Sequence, residues 1–259
     1  MLQIEGIRKE FAGGAVPVVA LEAVDLGIER GEFITLVGPS GCGKSSLLTL
    51  ISGLAPPSGG RIRLDGREIL GTDRQVGFIT QQDNLFPWRT LIDNVALALE
   101  LAGIGTAERQ REATRWIKRV GLEGFERAYP HQLSGGMRQR ANIIRTLIYA
   151  PAVILMDEPF GPLDAQTRQS LQALLLSIWE TQRSTVLFVT HDLTEAIALA
   201  DRVVLMSARP GRIVRVDRVD IPRPRDIFHL HDLPEFRRLY DALWNELAVQ
   251  LDGFDRSTH

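Results

Sequence analysis

Two periodicities divide the chain. Short apolar runs that stop at glycine or acidic residues predict strands, and apolar residues three or four apart predict helices. Residues 32–38 (E-F-I-T-L-V-G) predict a buried strand that ends at glycine. Leu47, Leu48, Ile51 and Leu54 then fall at helical spacing over 44–54, so the local order is strand, glycine loop, helix. Pro56-Pro57-Ser58-Gly59-Gly60 marks a turn, 61–64 alternates polar with apolar, and Asp65-Gly66 predicts a hairpin. Residues 76–80 predict another short strand.

From 90 to 149 the pattern is mainly helical. Thr90-x-x-Asp93 resembles a capping box ahead of Leu91, Val95 and Leu99. Residues 108–120 carry Trp116, Ile117 and Val120, and Met137, Ala141, Ile144 and Ile148 recur at helical spacing until Pro151. Strands and helices then alternate again. Residues 152–156 are continuously apolar, as suits a strand buried on both faces. Leu171, Leu175, Ile178 and Gln182 trace a helix, 185–190 a strand, Asp192-x-x-Glu195 the cap of a short helix, and 202–207 a strand. An α/β core interrupted by a helical subdomain is the expected fold class. The tail holds Pro210, Pro222 and Pro224 and an amphipathic helix on Phe236, Leu239, Leu243 and Leu247. Its Arg218, Arg223 and Arg225, set among Asp217, Asp220 and Asp226, predict a solvated face.

Composition narrows the function. The 259 residues are 44% apolar and 24% charged, with a net charge of −2. That is a globular balance without the basic excess of a general nucleic-acid binder. The single cysteine, Cys42, rules out an intrachain disulfide. The start M-L-Q-I-E has neither a basic nor an apolar leader region, so no signal peptide is expected. The apolar stretch 95–102 contains Glu100 and is far shorter than the roughly 18–20 residues a membrane span needs, so any membrane role is expected through a partner chain. Lys9, Lys44 and Lys118 are the only lysines among 30 basic residues, and one of them sits in the glycine-rich loop.

Three motifs carry chemistry. Gly38-Pro39-Ser40-Gly41-Cys42-Gly43-Lys44-Ser45 fits G-x-x-x-x-G-K-[ST], with a strand before it and a helix after. Glycines let successive N–H groups face one anion, and the following helix start adds about half a positive charge. Lys44 can reach the β- and γ-phosphates, and Ser45 can offer its hydroxyl to Mg²⁺. Residues 152–158 form an apolar strand ending in Asp157 and Glu158. At a strand's carboxyl end the first can hold a Mg²⁺ shell, and the second can orient or deprotonate an attacking water. Leu133-Ser134-Gly135-Gly136-Met137 is a second glycine-bearing helix start and a second anion site. His229-x-His231 has no further ligand set and is expected to bind no metal.

In this order the motifs resemble the ATP-binding-cassette ATPases over residues 1 to about 215. The resemblance implies a P-loop NTPase, RecA-like core with an antiparallel β subdomain (1–85 and 150–215), a helical signature subdomain (86–149) and a C-terminal tail (216–259). It implies that Gln81 ligates Mg²⁺ and senses the γ-phosphate, that Asp164 belongs to the D-loop, and that His191 is the switch histidine. It also implies that Phe11 stacks on adenine and that Ser46 touches the α-phosphate. ATP and Mg²⁺ are the implied cofactors. In such a dimer Lys44, Ser45 and Gln81 of one subunit face Ser134, Gly135 and Gly136 of the other across one ATP. Pro162 stands where alanine is usual, and Ser46 replaces the commoner threonine.

The chain has no spans of its own, so the resemblance implies a homodimer at the cytoplasmic face of a bacterial inner membrane. Its partners would be integral permease subunits and a periplasmic or lipid-anchored solute-binding protein, with no nucleic acid. Residues 83–88 would be the permease dock. Segments 85–90, 129–140, 157–161 and 207–213 (S-A-R-P-G-R-I) are similar to the nitrate/sulfonate/taurine importer branch. A soluble cassette acting in translation or DNA repair is the alternative. The single signature, the lack of heptads and the near-neutral charge count against it, and an exporter cassette is disfavoured by the tail.

Overall fold

The computed structural model describes residues 1–12 and 17–255. In chain order it runs β1 (Leu2–Phe11), β2 (Val18–Ile28), β3 (Phe33–Val37), α1 (Lys44–Ile51), β4 (Gly59–Leu64), β5 (Arg67–Glu68) and β6 (Val76–Ile79). Then come α2 (Leu91–Leu101), α3 (Thr106–Arg119), α4 (Gly135–Leu147), β7 (Val153–Asp157), α5 (Ala165–Gln182) and β8 (Thr185–Val189). α6 (Leu193–Leu199), β9 (Arg202–Met206), β10 (Ile213–Arg218) and α7 (Pro234–Asp255) complete the described chain.

The central sheet has the order β10-β9-β3-β8-β7-β6 and is parallel except for its β10 edge. Its inner strands β3, β7, β8 and β9 are buried on both faces, which is why their sequences are largely apolar rather than alternating, whereas the β10 edge alternates half-buried with exposed. Alternation reappears in what each residue touches. Phe33, Val37, Ile154, Met156, Val186 and Phe188 face the cluster built with α2–α7. Ile34, Leu36, Val153, Leu155, Leu187 and Val189 face the opposite cluster with α1 and the second sheet. That second sheet, β2-β1-β4-β5, is antiparallel. Its β4–β5 turn is the expected Asp65-Gly66, both at positive φ (48° and 80°), as a type I′ hairpin requires.

Several expectations shift. β1 and β2 carry no clear period because register irregularities interrupt their pairing near Ile4, Ile7 and Lys9. α1 ends at Ile51 rather than 54: Ser52 N and Gly53 N bond to Leu48 O and Leu50 O, and Leu54 points out, 63% exposed. Asp192 caps α6, accepting from Thr194 N and Glu195 N. Glu195 does not turn back to complete a box; it is buried and accepts from Gln172 Nε2 at 2.8 Å.

The tail needs the largest correction. Arg218, Asp220 and Asp226 are exposed as expected, but Arg223 and Arg225 are not. Arg225 Nη1 donates to the carbonyls of Ile197, Ala198 and Ala200 at 3.0, 3.2 and 2.6 Å. Arg223 donates to Leu199 O at 2.6 Å, pairs with Asp201 and stacks over Trp179 at 4.2 Å. The last carbonyls of a helix have no partner within it, and these two guanidinium groups supply one for α6. Burial, with Arg223 adding repulsion, lowers the Arg225 pKa to about 10. α7 packs Phe236, Leu243 and Leu247 inward as its periodicity predicts. Residues 256–259 of the tail lie outside the described residues.

Candidate functional site: a glycine-loop cavity and a separate cavity at Ser134

β3 delivers the chain to the glycine loop at the carboxyl end of the central sheet, the edge where open α/β folds gather ligands. Gly41 and Gly43 have φ of 73° and 105°, conformations that L side chains rarely adopt. Gly43 is the N-cap of α1, and a Cβ there would lie 2.6 Å from Leu21 Cδ2. Lys44 is only 6% exposed: its Nζ folds back to donate to Gly38 O (2.8 Å) and Pro39 O (3.0 Å). Cys42 is buried beneath the loop, and burial pushes its thiol up despite the nearby Lys44.

Ser45 Oγ donates to Asp157 Oδ1 at 3.0 Å, joining the start of α1 to the end of β7. Burial raises the Asp157 pKa, and the Ser45 bond only partly opposes it. This carboxylate is short of counter-charge. A hydroxyl and a carboxylate side by side are hard oxygen donors of the kind Mg²⁺ takes together with substrate phosphates, so the residues fit that ion.

Glu158 has φ of 44°, strained for a non-glycine residue, and its N–H donates to Val189 O at 3.0 Å. Its Oε2 lies 3.0 Å from His191 Nδ1. Gln81, after β6, lies against the same turn: a Cβ on Gly161 would come within 3.3 Å of Gln81 Nε2.

A cavity of about 260 Å³ gathers Phe11, Ser40, Gly41, Gly43, Lys44, Ser45, Ser46 and Glu158. Phe11 is 47% exposed rather than core, with Lys9 Nζ 5.3 Å from its ring centre. Ser134, Gly135, Gly136 and Asp164 are elsewhere, around a cavity of about 420 Å³ with Pro162, Leu163 and Thr167. Ser134 caps α4 by accepting from Met137 N (3.3 Å), and Asp164 caps α5 by accepting from Thr167 N (3.0 Å). Those bonds hold the exposed Asp164 carboxyl below its usual range. Gln81 lines a further cavity, about 640 Å³, with Asp83, Arg138 and Leu163. Arg138 Nε donates to Asp83 Oδ2 at 2.9 Å, and Arg145 donates to the carbonyls of Asp83 and Asn84. The signature helix therefore grips the segment after Gln81.

Sequence reading missed Ala20 and Arg209, which also line the 260 Å³ cavity. Neither belongs to a phosphate-binding motif. The usable signal for Arg209 is its position just beyond β9, the strand beside β3.

This glycine loop, its acid-tipped β7 and the helical layer define an α/β P-loop ATPase cassette. The ABC transporter family profile matches residues 21–161. An uncharacterized ABC transporter ATP-binding protein of Methanocaldococcus jannaschii is 48% identical over 250 residues, covering 96% of this chain and 94% of that relative. The aliphatic sulfonates import ATP-binding protein of Bacillus cereus is 46% identical over 224 residues, covering 86% and 88%. Among solved structures, a dimeric post-hydrolysis ATP-binding cassette bound to ADP and Pi is 33% identical with a TM-score of 0.77, covering 86% of this chain and all of that one. The chain belongs to the ABC transporter family and is an ATP-hydrolysing cassette of it.

Proposed function

We propose that this chain is the ATPase subunit of an importer for a small organic or inorganic anion of the sulfonate, taurine or nitrate kind. It works as a homodimer on separate permease subunits at the cytoplasmic face of the membrane, with a solute-binding protein delivering the cargo. The observation that carries the dimer is the split of the site: the loop at 38–46 and the signature residues Ser134–Gly136 line different cavities of one chain. A second copy turned head to tail brings the two together over one ATP, so that ATP holds the closed state. Support for import comes from the relative named for aliphatic sulfonate import, and among the described residues no helix is long and apolar enough to cross a membrane. Residues 86–149 move as the signature unit, and Phe86 and the exposed Trp88 take the permease contact.

Within the cavity each residue has a task. Phe11 holds the adenine, the loop N–H groups and Lys44 hold the phosphates, and Gln81 watches the γ-phosphate. Ser45 and Asp157 would hold Mg²⁺, which when bound neutralises phosphate charge. Glu158 takes a proton from water as the water oxygen attacks the γ-phosphorus. The bond to the β–γ bridging oxygen breaks, and ADP leaves with that oxygen. His191, bonded to Glu158 Oε2, keeps the carboxylate aimed.

The test is MgATP turnover of Glu158→Gln. Loss of a general base lowers turnover by about 10²–10⁴-fold, with ATP retained in a stable dimer seen by light scattering. A variant that turns over at the parental rate removes Glu158 from this role.

A further inference from the structure

The loop 207–212 between β9 and β10 is fastened on two sides. Gly211 N donates to Ala20 O at 2.9 Å, and Glu22 N donates to Gly211 O at 3.1 Å, tying the loop to β2. On the other side a Cβ on Gly211 would lie 2.0 Å from Cys42 O, so the loop is seated directly against the phosphate loop. Within it, Ser207 Oγ accepts from Arg212 N and donates to Pro210 O, both at 3.0 Å. The two arginines it carries differ. Arg212 is neutralised by Glu22. Arg209 has no carboxylate in ion-pair range among the described residues. Its Nη2 donates to Gly41 O at 3.3 Å, and its side chain forms part of the wall of the nucleotide cavity with Phe11, Ala20 and Ser40.

A guanidinium has five donors in a planar fork that matches phosphate, and here one carbonyl occupies one of them. Its loop is already ordered, so little is lost in fixing it on a ligand. We propose that Arg209 is a further nucleotide-binding residue, whose guanidinium engages the ribose–diphosphate part shared by ATP and ADP, at the rim between Phe11 and Gly41. This rests on the 260 Å³ cavity being the nucleotide site and adds a cationic contact that the phosphate loop does not supply.

The experiment is calorimetric binding of ADP and of ATP, each with Mg²⁺, to the full chain, with melting temperature as the control for folding. Arg209→Ala weakens both nucleotides by about tenfold, the low end for a hydrogen bond to a charged group at an exposed rim. Arg209→Lys, which keeps the charge and loses the fork, recovers part of that. The parental affinity falls more steeply with salt than that of Arg209→Ala. Turnover at saturating ATP stays within about twofold, so the change appears in KM. ADP affinity within twofold of the parent in Arg209→Ala overturns the proposal. So does unchanged ADP affinity with weakened ATP-driven dimerisation, which would make Arg209 a subunit contact. A parental protein that binds ADP but hydrolyses no ATP sinks the proposed function and leaves Arg209 standing; one that binds neither nucleotide sinks both.

Discussion

Two glycine-bearing helix starts, those of α1 and α4, are finished differently. α1 begins at Gly43 with no side-chain cap and no acidic residue in its first turn, and it opens onto the cavity that holds Phe11 and Glu158. α4 begins at Ser134, whose hydroxyl already accepts from Met137 N, and it opens onto a different cavity beside Asp164. An uncapped helix start leaves donors without partners, which is costly unless a ligand serves as the cap. Under the proposed function, α1 would be completed by nucleotide within one chain. The Ser134 cap serves one donor of α4, and its other donors would meet a phosphate that a second subunit presents. One end would then supply affinity, and the other would report that two subunits have met.

The largest effect tests the bare end. Lys44 satisfies its ammonium on Gly38 O and Pro39 O, and in the proposed role it would exchange those carbonyls for phosphate oxygens. Lys44→Ala should lower kcat/KM for MgATP by about 10³-fold, the range for losing one preorganised charge-stabilising donor, measured by steady-state phosphate release. ADP binding should weaken with it. Retained affinity would mean that the N–H groups of α1 suffice alone, and Lys44 would lose its part in holding the nucleotide.

Both helix starts were legible in the sequence, for a shared reason. Each is a glycine motif of fixed spacing between a strand or turn and an apolar helical period, as in G-P-S-G-C-G-K-S and L-S-G-G-M. The central strands were legible because burial on both faces leaves unbroken apolar runs such as 152–156. β1 and β2 were not, since their irregular register breaks the period-2 signal. Nor was the clasp on α6: arginines alternating with aspartates read as a wet face, and only the fold brings Arg223 and Arg225 to the open carbonyls of 197–200. Arg209 escaped for the same reason. Its meaning lies in a loop placed beside Gly41 from 168 residues further along the chain.

A third helix start sharpens the contrast. Asp192 consumes the first donors of α6, so they are not free to stabilise the carboxylate of Glu195 in the same first turn. Burial then raises Glu195 from 4.5 to about 7, against the hydrogen bonds from Thr190 and Gln172. The native state binds more protons than the unfolded chain between those values. The resulting stabilisation is complete below pH 4.5 and lost as pH rises through about 7, a swing of about 3 kcal/mol. Glu195→Gln should therefore melt higher than the parent at pH 8 and nearly level with it at pH 5. An equal difference at both values would mean that the carboxyl is not the titrating group.

The smallest effect falls on the capped end. Ser134→Ala removes the bond to Met137 N, which costs about 1 kcal/mol of helix stability. It also removes one hydroxyl that the partner's ATP would meet. ADP affinity of the single chain should stay within twofold, because Ser134 lines a different cavity from Lys44. Turnover should fall by a factor on the order of ten, the worth of one hydrogen bond to a charged group, and fall further at low protein concentration, where dimers are scarce. Dilution series of the parent and of Ser134→Ala separate the two contributions. A loss confined to melting temperature would make Ser134 a cap and nothing more, whereas a loss of ADP affinity would place both helix starts on the same nucleotide within one chain.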